Sequence, residues 1–224
     1  MHAISITGTD HEPTYGGSMR TEIYWITGLP YGEDKMKRTE QLVLIGTFLG
    51  CCWLSMQAVH ELGHVLAAWL SGGEVVKVAL HPAIISRTDL GGDPHPLFVV
   101  WAGAIVGALL PLTVFMLARI CRFAGVYMFR FWAGFCLIAN GVYVACGPDQ
   151  GGADSAVMMA YGSPRLLLLG FGLVTVPLGL YLWHRQGNYF GLGEANGKVD
   201  RQATLVAILL FIAIVGLELL IDSR

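Results

Sequence analysis

The sequence predicts an all-α membrane protein, a polytopic bundle of about five transmembrane helices, on two observations. Five apolar runs, at 41–70, 97–118, 124–146, 165–183 and 203–221, approach or exceed the roughly 20 residues that cross a bilayer as a helix. Charged residues make up only 13% of the chain, about half the share usual in a soluble domain.

Taken in order, residues 1–35 are polar, rich in Gly and Thr, and lack the basic start and apolar middle of a signal peptide. A flexible tail is expected there, and Met36, opening MKRTEQ, reads as an alternative start. The connection at 71–96, SGGEVVKVALHPAIISRTDLGGDPHP, follows the first run. The alternation in EVVKVAL predicts a short strand, and Pro and Gly close the rest into turns. A tight basic turn at 119–123 separates the second and third runs. The third connection, GPDQGGADSAVMMAYGSP at 147–164, is read as a Gly/Pro/Asp cluster followed by a short helical piece. A polar loop at 184–202 precedes the last run. The domain reading is a tail at 1–35, a core of three spans at 36–164, and two further transmembrane helices at 165–224.

The net charge of −2 and the absence of a basic run give no case for nucleic acid. The five cysteines show no CxxC spacing and are read as small buried helix residues. Lys and Arg favour the side of the N-terminus and the second and fourth connections, which predicts a cytoplasmic N-terminus. The protein is expected to be multi-pass, with membrane lipid around it.

The first run contains AVHELGHVLAAWL, where lipid would penalise ionisable groups and where such groups usually mark function. His60 and His64, four residues apart, lie on one helix face and can offer imidazole nitrogens to one metal ion. Glu61 is rotated by about 100° from His60, so it is placed to act on a water rather than as a ligand. This is the H-E-x-x-H arrangement of zinc peptidases. In it zinc lowers the pKa of a water to about 7 and the glutamate takes the water's proton. Gly63, between the histidines, leaves room for a substrate or a neighbouring helix.

A third ligand is required. Two complete spans separate the first and third connections, so both emerge on one side of the membrane and their residues can converge. Asp149 and Asp154 are the candidates. Asp154 is preferred because SAVMMAY after it is an apolar helical piece that can anchor it, while Asp149 follows Pro148 in a turn. His81 and His95, each beside a proline, are expected to be solvated or capping, and Arg87, Asp89 and Asp93 to be solvated or paired at the surface. Asn140, polar within a span, reads as an interhelical hydrogen bond, with an oxyanion or substrate-backbone donor as the alternative.

With these residues the chain resembles the site-2 protease family of intramembrane zinc metalloproteases. The matching pieces are HELGH, WAGAIVG at 101–107, and Asn140 followed by the Gly/Asp-rich segment. Ala104 stands where the family's A-G-P stretch has proline, and the family's aspartate motif is present only in degenerate form. The resemblance implies a three-helix catalytic core at 41–69, 97–118 and 124–161. It also implies His60 and His64 as zinc ligands, Glu61 as catalytic base, and Asp154 or Asp149 as third ligand. The expected function is an intramembrane zinc endopeptidase acting on transmembrane or membrane-adjacent peptides. One alternative is a non-catalytic metal-binding scaffold. The other is a membrane protease of the prenyl-protein type, whose third ligand would have to be Glu194 or Glu218.

Overall fold

The computed structural model describes residues 31–92, 95–150 and 153–222. Within them, helix α1 (Tyr31–Ser71) leads into strands β1 (Glu74–Ala79) and β2 (Arg87–Gly92). Helices α2 (Pro96–Ile120), α3 (Val126–Gln150), α4 (Ala153–Ala160) and α5 (Arg165–Trp183) follow. Two 3₁₀ turns, Gly187–Phe190 and Gly193–Ala195, precede α6 (Arg201–Asp222). Five of these helices are long and apolar enough to span a membrane, and the protein is a multi-pass integral membrane protein.

Helix α1 has 41 residues and runs about 60 Å, twice the hydrocarbon thickness of a bilayer. Its start takes in residues 31–35, which the sequence reading assigned to the tail; residues 1–30 lie outside the described residues. The helix stops at a glycine turn. Gly72 adopts φ 79°, which glycine enters without a Cβ penalty, and Gly73 N–H donates to Ala68 O at 2.8 Å.

The chain then folds back along α1. Strands β1 and β2 pair antiparallel, with Lys77 opposite Asp89 and Val78 opposite Thr88. β1 is the strand that alternation predicts. β2, RTDLGG, was expected as turn, because Asp and two glycines are poor strand formers. Thr88 and Leu90 are held against α1 instead, a tertiary contact that propensity does not register.

Helix α2 opens on Pro96, whose missing N–H costs nothing at the first helical position. Helix α3 continues through Pro148 to Gln150, four residues past the expected end of the third span. A Gly-Pro pair normally turns a chain out of helix, but here the helix is retained to its last turn. Helices α3 and α5 pack antiparallel through glycines. A Cβ on Gly179 would stand 2.7 Å from Gly134 O, and one on Gly172 would stand 2.8 Å from Gly141 O. Small residues let transmembrane backbones approach this closely, where dispersion rather than water exclusion drives packing.

Helix α6, capped by Asp200 Oδ1 accepting from Gln202 N–H at 2.9 Å, returns beside α1. Leu44, Phe48 and Cys52 of α1 form a core there with Phe190, Ala203 and Ala207. Cys51, Cys52 and Cys136 are buried as expected, whereas Cys121 and Cys146 are exposed; all five are free thiols.

Candidate metal centre

His60 lies 11 residues before the end of α1, or about 16 Å, within its apolar membrane-spanning stretch. His60 and His64 are both buried, and their rings meet edge to face with centroids 4.8 Å apart. The face they share is closed by α2, α3 and α4, and each neighbour is small or polar where it touches them.

Helix α2 supplies the small residues. A Cβ on Gly103 would sit 2.9 Å from His60 Nε2 and nearer still to the His64 ring, so only glycine leaves room for the imidazoles. A Cβ on Gly63 would collide with the Ala102 backbone, so of the two roles open to that glycine the neighbouring helix is the one seen. Gly107 makes the corresponding space for Asn140, which would meet a Cβ at 2.7 Å. The WAGAIVG stretch thus has a steric meaning. Its glycines at i and i+4 form the wall against which the polar side chains pack.

The polar neighbours set the imidazole tautomers. His60 Nδ1 lies 2.8 Å from Asn140 Oδ1, and Asn140 Nδ2 donates to Cys136 O, which fixes the oxygen toward the ring. His64 Nδ1 lies 2.9 Å from Val99 O. Both partners are acceptors, so each Nδ1 carries its proton and each Nε2 presents a lone pair. Asn140 makes the interhelical hydrogen bond expected of it, and its partner is a histidine of the motif.

The two Nε2 atoms converge on Asp154 Oδ2, at 2.8 Å from His60 and 3.4 Å from His64. Asp154 stands in the first turn of α4, which is anchored by the fully buried Ser155 and Met158. Its N–H also reaches Tyr143 Oη at 3.5 Å. Among the described residues, His60, His64 and Asp154 are the group of His, Cys, Asp and Glu whose ligand atoms all lie within 4.8 Å of one another.

The donor set fits a divalent metal. Three acceptors, two imidazole lone pairs and a carboxylate oxygen, face one another and require a cation between them, either a proton or a metal ion. Burial alone would raise the Asp154 carboxyl. With a proton held between Asp154 and the two Nε2 atoms, the hydrogen bonds and charge of His60 and His64 outweigh it and hold the group well below the usual carboxylate range. The carboxylate therefore stays ionised at neutral pH, as a metal ligand must.

The remaining candidates lie elsewhere. Asp149 is in the last turn of α3, and its side chain lies outside the described residues, as does Asp93. His81 Nδ1 accepts from Ala83 N–H at 3.2 Å in the hairpin loop, a capping role. His95 precedes α2 at its N-cap. Arg87 pairs with Asp89 at 3.2 Å on the surface. Glu194 lies in a 3₁₀ turn, and the buried Glu218 of α6 has His81 as its electrostatic neighbour. Neither glutamate joins the cluster.

Glu61 is buried at 4% exposure, and both its oxygens are occupied. Ser86 Oγ donates to Oε1 at 2.7 Å and Thr88 Oγ1 donates to Oε2 at 2.6 Å. One turn earlier, Gln57 Oε1 accepts from Ser86 N–H at 2.8 Å. Sequence reasoning missed these three residues. Gln57, polar within a span at i−4 from Glu61, was the available signal.

Residues 42–144 match the family model described as Peptidase M50B-like. The match takes in His60, Glu61, His64, the α2 glycines and Asn140, stops before Asp154, and agrees with the site-2 protease resemblance read from the motifs. No curated protein and no solved structure matches the chain.

Proposed function

We propose that this chain, whose core is Peptidase M50B-like, is an intramembrane zinc endopeptidase acting on transmembrane or membrane-adjacent peptide segments. One observation carries the reading. Two buried Nε2 lone pairs and a carboxylate oxygen converge inside a membrane helix bundle, with Glu61 next in sequence to one of them.

His60 Nε2, His64 Nε2 and Asp154 are the groups that would hold the metal. A zinc ion bound by three such groups supplies a Lewis acid and an acidified water. The rest of the chemistry belongs to the chain. Asn140 and Val99 O keep both imidazoles in the ligating tautomer. Glu61, too far round the helix to share the ligand face, takes a proton from the attacking water and returns it to the departing amine nitrogen. The water oxygen ends on the acyl carbon as the C–N bond breaks, so hydrolysis consumes one water and leaves the glutamate unchanged. The apolar bundle confines water to the polar interior of the site.

The test uses the full chain in lipid nanodiscs with a membrane-anchored reporter. The expected result is about one zinc per chain, as three protein ligands leave one position open. A strong chelator should remove zinc and cleavage together, and added zinc should restore both. Cleavage that survives complete loss of metal would overturn the reading.

A further inference from the structure

We propose that Ser86 and Thr88, on the hairpin that folds back along α1, are positioning residues that orient the Glu61 carboxylate for proton transfer. The proposal rests on the reading of Glu61 as catalytic base and adds the part of the chain that aims it.

The hairpin contact is specific in register. Ser86 and Thr88 are two apart in an extended segment, so their side chains leave the same face, toward α1. Arg87 between them points outward to its surface partner Asp89. On the helix, the two acceptors are Gln57 and Glu61, one turn apart on a single face. Three hydrogen bonds of 2.6–2.8 Å, one from the Ser86 backbone and two from hydroxyls, therefore dock the hairpin on one helix face. Two of the three end on Glu61.

A hydroxyl donor on each carboxylate oxygen fixes the carboxylate at both ends and removes its torsional freedom. An ionised carboxylate has about four lone-pair sites. One donor per oxygen leaves a site on each free to accept a proton, so the arrangement aims the base without consuming it. Hydrogen bonds of this charge-assisted kind are short and about twice as strong as neutral ones. They also satisfy a charge that would otherwise be buried without partners. Positioning of this kind matters because a displacement of about 1 Å can cost 100-fold in rate.

The test compares wild type with Thr88→Val, Thr88→Ser, Ser86→Ala and Glu61→Gln in the reporter assay, with zinc content measured on each sample. Thr88→Val keeps the shape and deletes the donor. It and Ser86→Ala are each expected to lower kcat about 10- to 100-fold, with KM and zinc content within about twofold of wild type. Thr88→Ser, which retains the hydroxyl, is expected to stay within about threefold of wild type. Unchanged kcat in Thr88→Val overturns the proposal, as does a loss confined to KM or a Thr88→Ser as slow as Thr88→Val. A kcat above wild type also overturns it, since the hydroxyls would then restrain the base.

If wild type and Glu61→Gln cleave alike, it is the protease reading that fails. Hydrogen exchange on metal-free protein then decides the contact by itself. Removing both acceptors with Glu61→Ala is expected to speed exchange of the hairpin amides at 84–90 by more than about tenfold, since two hydrogen bonds to a charged group are lost and each alone is worth about that much. Exchange as slow as in wild type would overturn the docking.

Discussion

Replacement of Glu61 by glutamine is expected to lower cleavage of a membrane-anchored reporter roughly 10³- to 10⁴-fold while leaving bound zinc at the wild-type level. The glutamine has the same shape, and its amide oxygen still accepts one of the two hydroxyl hydrogen bonds from Ser86 and Thr88. The hairpin therefore stays docked. What disappears is the proton acceptor, and a loss of this size is roughly 4–5.5 kcal/mol of barrier. The zinc content matters because Glu61 lies outside the group formed by His60, His64 and Asp154. Loss of zinc along with cleavage would move Glu61 into the ligand set. Undiminished cleavage with zinc retained would favour a metal-binding scaffold in which no base is needed, or a base elsewhere.

Replacement of Asp154 by alanine is expected to empty the site. Only the two imidazole lone pairs would remain, and two ligands do not complete a catalytic zinc site. Changes one shell further out already weaken zinc sites 10- to 100-fold, so loss of a ligand should exceed about 100-fold and abolish cleavage. The fold should survive, because α4 is anchored by Ser155 and Met158, both fully buried, and not by the carboxylate. Zinc titration of the purified variant checks the affinity, and circular dichroism checks the helix content. The same substitution at Asp149 is expected to leave zinc and cleavage near wild type. The reverse result, with zinc lost from the Asp149 variant alone, would show that Asp149 and not Asp154 is the third ligand.

Much of the site was legible because it obeys two simple periodicities. The spacing of His60 and His64 places them on one face of any helix, and the apolar residues around them make that helix a membrane span. The parity of the spans brings the third connection to the end of the bundle where α1 finishes, which made an aspartate partner foreseeable before any packing was known. The choice between Asp149 and Asp154 turned on anchoring; Asp154 faces both Nε2 atoms, and the Asp149 side chain lies outside the described residues.

The parts that were not legible depend on contacts distant in sequence. RTDLGG has no local reason to be a strand; it pairs with β1 and docks on α1 through Thr88 and the preceding Ser86. Pro148 signalled a helix end, yet α3 passes through it. The α2 glycines were recognisable as a motif, but that Gly103 clears the histidines and Gly107 clears Asn140 follows only from the helix crossing.

The most direct test of the metal centre is X-ray absorption at the zinc edge on the purified full-length protein. The expected spectrum has two imidazole nitrogens at about 2.0–2.1 Å and oxygen at about 2.0–2.2 Å, with no sulfur. It should fall to the level of unbound metal in Asp154→Ala. A sulfur shell at about 2.3 Å would contradict the assignment, as would a spectrum unchanged by loss of Asp154.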